Sequence, residues 1–238
     1  MKWDEMAFPV WDDPEVVVEG CIKAQKRLVS GYKPNPKVYP NKFQEALEPK
    51  HAAISLSGEP TLYPLLGELI ECFSKHSFTT FLVSNGTNPE ALTQLGKEPT
   101  QLYISLCAPD EATFKKICHP QIPDAWKKLN QTLSVLSTFK CPTVLRLTLS
   151  RHLNLKNTEL YSKLIENANP TYVEPKAYMH VGFSRLRLGF ENMPTHKEIQ
   201  EFAIQLAKQA SYSILRDAPE SRVVLLSRLE KPIKLVQN

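Results

Sequence analysis

Arg146, Glu174 and Lys176 are the residues whose placement most plainly demands a chemical partner. Arg146 stands in the middle of T-V-L-R-L-T-L (143–149), a pattern that reads as a buried strand. An unpaired buried guanidinium costs several kcal/mol, so Arg146 requires an anion, either a ligand carboxylate or Glu174. Glu174 and Lys176 alternate along T-Y-V-E-P-K (171–176) and point the same way, able to neutralise each other or to hold a substrate. A second constellation is S-L-S-G-E-P (55–60). Ser55 and Ser57 share one face, Gly58 permits close backbone approach, Glu59 falls at the carboxyl end of the strand, and Pro60 stiffens the exit. Open α/β sheets and barrels bind ligands at that end. Ser84 with Asn85, and Ser105, end two further strands. Finally, K-A-Y-M-H-V-G-F-S-R-L-R-L (176–188) interleaves Lys176, His180, Arg185 and Arg187 with Tyr178 and Phe183. Cations mixed with aromatics suit phosphates and stacked bases. The bland alternatives are an internal salt-bridge network, serines bonded to backbone, and a solvated loop.

These residues need strands to carry them. The pattern predicts strands at 52–57, 79–84, 101–106, 143–149 and 171–176, alternating with helices at 63–75, 88–95, 111–116, 123–139, 157–168 and 195–210. Alternation of this kind implies βαβ units, a parallel sheet and right-handed crossovers. Each strand sets polar residues against an opposite face of Ile, Leu and Val, or Pro in the last strand. A curved sheet or partial barrel with a polar inner face gives that pattern. Ahead of the first strand, Asp12-Asp13-Pro14-Glu15 starts a helix to about Val29 with Val16, Val17, Cys21, Ala24 and Leu28 as its apolar stripe. A short helix is expected at 42–47. Two short strands near 212–215 and 222–227 close the chain as a hairpin on one edge. The first confident element is a helix, so a leading strand and its loop are expected to lie outside this chain.

With 238 residues, 42% of them hydrophobic, the chain can bury one core, so a single domain over 1–238 is expected, with its core at about 12–210 and an extension at 211–238. The net charge of +4 is compatible with an RNA partner. No apolar run reaches the roughly 20 residues of a membrane helix, and the N-terminus lacks a secretory signal, so a cytoplasmic location is expected. Five scattered cysteines, Cys21, Cys72, Cys107, Cys118 and Cys141, argue for a reducing compartment. They also argue against a metal or iron–sulfur site made by this chain alone.

D-D-P-E at 12–15, S-L-S-G-E-P-T-L-Y-P at 55–64, F-L-V-S-N-G at 81–86, P-T-Q-L-Y-I-S-L-C-A-P at 99–109, L-R-L-T-L at 145–149 and Y-V-E-P-K-A-Y-M at 172–179 together resemble the radical S-adenosylmethionine (SAM) enzymes. Within them the chain is similar to the 4-demethylwyosine synthases of tRNA wybutosine synthesis, collinearly from about Trp11 to Arg228. The resemblance implies a partial (β/α)6 barrel with SAM and a 4Fe–4S cluster at the carboxyl ends of the strands. It implies condensation of pyruvate with N1-methylguanosine-37 of tRNA-Phe, a lyase-class reaction, with an electron-donor protein as a further partner. The match would place Ser57, Gly58 and Glu59 at the methionine amino group of SAM, with Ser55 and Pro60 of the same stretch also binding the cofactor, and Ser84 and Asn85 near it. Ser105 and Arg146 would meet its ribose and carboxylate. Glu174 and Lys176 would be catalytic on the substrate side, and Tyr178, His180, Arg185 and Arg187 would face tRNA. The C-x3-C-x2-C cluster loop of the family is absent, so no metal ligand is assigned here. The chain is expected to be the carboxyl-terminal part of such an enzyme and inactive alone. A radical SAM enzyme with another substrate, or a non-catalytic RNA-binding remnant, are the alternatives.

Overall fold

The structure is a computed structural model that describes residues 10–33, 35–56 and 58–235; Ser57 falls outside them. The chain divides into two compact units, Met1–Leu82 with Gln94–Thr100 and Leu235–Asn238, and Val83–Thr93 with Gln101–Lys234.

In the first unit, helix α1 (Pro14–Ser30) begins as expected: Asp13 accepts from the Glu15 amide at 2.8 Å and Pro14 takes the first helical position. Its buried face is not the expected one. Val18 is the fully buried residue, clustered with Leu69, Cys72 and Phe73 and flanked by Val17 and Ile22. Val16, Cys21 and Leu28 are exposed. The helix packs chiefly against α2 (Pro40–Leu47) and α3 (Leu66–Lys75), and those partners select the Val18–Ile22 row. Strand β1 (His51–Ile54) pairs in parallel with β2 (Thr79–Ser84), from His51 opposite Thr79 to Ile54 opposite Leu82. Ala52 and Ile54 pack on the Val18 cluster.

The expected strand to residue 57 stops early. Leu56 has φ +91° and is wholly exposed, so it leaves the apolar face to which strict alternation over 52–57 would assign it. Gly58 follows at φ +76°, a conformation L side chains rarely adopt. A 3-10 turn, Pro60–Leu62, then precedes α3. Tyr63 does not join that helix: its amide bonds to the Pro60 carbonyl, and its hydroxyl donates to the Asp12 carbonyl at 2.6 Å.

The second unit takes in the end of β2, the Asn85-Gly86 turn and a short α4 (Pro89–Thr93). Gly86 holds φ +72°, a Cβ there would lie 2.8 Å from Leu129 Cδ1, and Thr132 donates to its carbonyl at 2.7 Å. Strands β3 (Gln101–Ser105), β4 (Thr143–Leu149) and β5 (Tyr172–Ala177) lie side by side in parallel. Between them run α5 (Glu111–Cys118), α6 (Ala125–Val135) and α7 (Thr158–Ala168). The capping box of Thr195 and Glu198 opens α8 (His196–Ala210). The expected closing hairpin is present: β6 (Ser213–Ala218) pairs antiparallel with β7 (Val223–Ser227), which pairs antiparallel with β5. One face of the parallel strands is apolar, with Ile104, Leu145, Leu147 and Val173 fully buried. The α/β class read from the alternation is therefore the one observed. Among the described residues, no helix is long and apolar enough to cross a membrane.

Candidate active site

Register brings the polar residues of three strands into a row. Ser105 stands opposite Arg146, and Arg146 opposite Glu174. Because side chains alternate, Tyr103 on β3, Thr148 on β4 and Lys176 on β5 share that face. Arg146 Nε donates to Glu174 Oε2 at 2.8 Å, so of the two partners open to Arg146 in the sequence the protein supplies Glu174. The guanidinium also lies over the Tyr103 ring, 4.5 Å from its centroid. Burial pushes the Tyr103 phenol up to about 12, and the Glu174 carboxylate to which it donates adds to the rise. Glu174 is thus held from two sides.

Of the two readings open for Glu174 and Lys176, mutual neutralisation does not occur. Residues two apart on a strand are about 6.5–7 Å from one another, whereas Arg146 lies directly across the ladder. Lys176 stands opposite Thr148, half-buried, with no ion pair among the described residues. The two terminal amino groups of Arg146 likewise carry no protein hydrogen bond among the described residues. An open, half-buried polar face therefore presents an ammonium and the outer edge of a guanidinium, both suited to a carboxylate.

Tyr103 and Asn154 escaped the sequence reading. Tyr103 sits on the polar face by alternation, but its stacking on Arg146 depends on strand register. Asn154 is buried; its amide donates to the Cys107 carbonyl at 2.7 Å and the Thr148 carbonyl at 2.8 Å, and its Oδ1 accepts from the Ser150 amide at 2.7 Å. It ties the ends of β3 and β4 together, fixing the row above. An asparagine five positions beyond the end of a strand was the available signal.

The remaining residues are placed as follows. Ser84 is buried and accepts from the Gly86 amide at 3.0 Å; Asn85 Oδ1 accepts from Thr87 N and Oγ1 at 2.9 and 2.6 Å. Both shape the turn after β2. In the first unit, Ser55 and Gly58 are exposed, and Glu59 accepts from Thr61 N at 3.2 Å and Thr61 Oγ1 at 2.8 Å. Pro60 starts the 3-10 turn.

After β5, Tyr178 is buried, with its hydroxyl within 3.2 Å of His180 Nδ1, 3.3 Å of the Ser184 carbonyl and 3.4 Å of the Leu188 carbonyl. It lies beneath the loop it was expected to help display. Above it the 3-10 turn Gly182–Leu186 holds Phe183 at 86% and Leu186 at 82% exposure, beside exposed Arg185 and Arg187. His180, Gly182, Phe183, Arg185 and Leu186 line an open pocket of about 470 Å³.

The donors of the second unit fit the carboxylate-bearing end of SAM in charge and in hydrogen-bonding type. They do not fit a 4Fe–4S cluster. Cys118 donates its thiol hydrogen bond to Cys107, which lowers the Cys107 pKa and raises that of Cys118. Among the described residues the group of three clustered metal-ligating side chains, Glu15, Cys72 and His76, contains a single sulfur.

Comparison with known proteins supplies the affiliation. A family model described as wyosine base formation matches residues 167–228, which span β5, the basic loop, α8 and the hairpin. The S-adenosyl-L-methionine-dependent tRNA 4-demethylwyosine synthase of Pyrococcus abyssi (strain GE5 / Orsay) is 53% identical over 222 residues, 92% of this chain and 65% of that protein. The chain thus spans just under two thirds of that relative. The corresponding synthase of Methanocaldococcus jannaschii is 45% identical over 94% of this chain and 71% of that protein. A solved structure of TYW1 with a lysine–pyruvate adduct bound superposes with a TM-score of 0.86 at 43% identity, over 94% of this chain and 72% of that one. On these matches and on the shared fold, the chain belongs to the family of S-adenosyl-L-methionine-dependent tRNA 4-demethylwyosine synthases.

Proposed function

We propose that this chain is the SAM- and tRNA-handling part of a radical SAM 4-demethylwyosine synthase, which condenses pyruvate with N1-methylguanosine-37 of tRNA-Phe. The observation that carries the reading is the Ser105–Arg146–Glu174 row with Lys176 beside it, an anion-seeking polar face in a chain 53% identical to a named synthase. The relative with a lysine–pyruvate adduct supports pyruvate as the carbon donor. SAM held at this polar face by Arg146 and Ser105 would supply the radical chemistry.

The roles of this chain's residues follow from their chemistry. The outer edge of Arg146 receives the SAM carboxylate while Glu174 and Tyr103 keep the guanidinium planar to the face. Ser105 meets the ribose. Ser84 and Asn85 shape the turn near the cofactor. On the residue match alone, Ser57, Gly58 and Glu59 are assigned to the methionine amino group of SAM. Lys176 holds a substrate carboxylate, and Glu174, fixed by Arg146, bounds the substrate side. Arg185, Arg187 and His180 bind tRNA phosphates, Phe183 stacks on a base, and Tyr178 positions their loop. The cluster ligands are not among this chain's residues, and the chain alone is inactive.

The test is the complete enzyme with its cluster rebuilt anaerobically, given pyruvate, SAM and tRNA carrying N1-methylguanosine. The tricyclic base and 5′-deoxyadenosine are expected, and Lys176→Met is expected to raise KM for pyruvate. Absence of both products would overturn the assignment, and tight tRNA binding without turnover would favour an RNA-binding remnant.

A further inference from the structure

The seam between α1 and α3 carries a second set of reactive groups, in the first unit. Glu15 and Glu19 stand one turn apart on α1; Cys72 and His76 stand one turn apart on α3. Glu15 reaches both residues of the facing helix. One oxygen lies 3.0 Å from Cys72 Sγ and the other 3.2 Å from His76 Nε2. One donor atom from each of the three residues fits within a span of 4.8 Å. Tetrahedral zinc keeps its sulfur, nitrogen and oxygen donors about 3.3–3.6 Å apart, so small side-chain rotations convert one arrangement into the other.

The orientation of His76 supports a cation. Its Nδ1 lies 3.1 Å from the Cys72 carbonyl oxygen. Donation there leaves the Nε2 lone pair aimed at the Glu15 carboxylate, a repulsive meeting unless a proton or a metal ion stands between them. A ligating histidine held by a backbone carbonyl through its other nitrogen is the usual outer-shell arrangement at zinc sites. Cys72 is buried at the base while Glu15 and His76 open to solvent, which leaves a fourth position for water. Glu19 is already paired with Lys23 at 2.8 Å and stays outside the set.

We propose that Glu15, Cys72 and His76 form a binding site for a thiophilic divalent cation, zinc by the mixture of donors. One sulfur, one imidazole and one carboxylate suit zinc or cobalt, whereas calcium and magnesium require oxygens. Binding displaces the Cys72 thiol proton and any proton on His76 Nε2 to solvent, and changes no oxidation state. The ion ties α1 to α3. Sequence spacing cannot reveal such a site, because the carboxylate comes from a helix 57 positions away from the cysteine.

The test is cobalt(II) titration of the metal-free full chain, followed by zinc competition. The expected result is one equivalent of cobalt giving a thiolate charge-transfer band with tetrahedral visible absorption, both displaced by zinc. Cys72→Ser removes the charge-transfer band, and His76→Asn, near the solvent-facing rim, weakens binding at least tenfold. The double variant Cys107→Ser/Cys118→Ser retains the full signal. Zinc at 100-fold excess over Kd raises the unfolding temperature by about 5–10 °C, and His76→Asn abolishes that rise. A wild-type chain with no sulfur–cobalt band, or a band that survives in a folded Cys72→Ser protein, overturns the proposal.

Discussion

Replacing Arg146 by leucine separates a purely structural ion pair from a ligand-binding one. The side chain of Glu174 is 16% exposed and that of Arg146 31%. After Arg146→Leu, Glu174 is left with the Tyr103 hydroxyl as its partner among the described residues. Removing one member of a fully buried pair costs about 3–5 kcal/mol. The partial exposure of Arg146 brings this down to about 1.5–3 kcal/mol. For a chain of this size that lowers the unfolding temperature by about 3–12 °C. The double variant Arg146→Leu/Glu174→Leu removes the stranded charge and is expected to recover wild-type stability to within about 1 kcal/mol. Affinity for SAM behaves differently. A guanidinium-to-carboxylate hydrogen bond contributes about 1.5–3 kcal/mol, so both variants are expected to bind SAM about 10–150-fold more weakly. The assays are thermal unfolding of the chain and SAM titration of the complete enzyme with its cluster in place. A double variant with wild-type stability and undiminished SAM affinity refutes the reasoning, and leaves Arg146 an internal brace for Glu174.

Other outcomes follow from single contacts. Arg151 holds the Glu198 carboxyl down to about 2, so this pair stabilises the fold above the ordinary carboxyl range and loses its effect as pH falls from about 4.5 to 2. Glu198→Gln therefore destabilises by about 1–2 kcal/mol at pH 7, after allowance for screening, and the gap in denaturant unfolding closes toward pH 2; a gap that persists there contradicts the pairing. Gly86→Ala places a methyl group 2.8 Å from Leu129 Cδ1 at φ +72°, and is expected to cost about 2–4 kcal/mol in chemical denaturation. Arg185→Ala with Arg187→Ala is expected to weaken tRNA binding and to reduce the slope of log K against log salt by about 1–2. Phe183→Ala costs about 1–3 kcal/mol of the same affinity without changing that slope.

The strand-borne charges were legible in the sequence because β alternation is a strict period of two. Once residues 143–149 and 171–176 read as strands, Arg146, Glu174 and Lys176 had to share a face. Which of them pair was not legible, since that depends on register between strands: Glu174 took Arg146 and left Lys176 without an ion-pair partner among the described residues. Helix faces were harder. The apolar residues of α1 ring more than one side, and only its partners α2 and α3 select Val18 over Val16 and Leu28. Leu56 was misplaced because a left-handed leucine has no sequence signal, although Gly58 two positions on marked the chain's departure from extended geometry. Tyr178 carried the composition of a nucleic-acid contact but lies buried, since composition does not say which aromatic of a loop faces inward.

That buried ring has a further consequence. Through its hydroxyl, Tyr178 meets the backbone at the middle of the Gly182–Leu186 turn, at Ser184, and just beyond it, at Leu188, while Ser184 Oγ donates to the Val181 carbonyl at 2.6 Å with the Met179 carbonyl 3.1 Å away. The platform bearing Phe183 and the two arginines is therefore assembled during folding, and its configurational entropy is lost then and not at the encounter with a ligand. A buried tyrosine thereby governs how rigidly the exposed surface is offered, and its replacement by phenylalanine is expected to slow association with tRNA while leaving every exposed cation in the sequence.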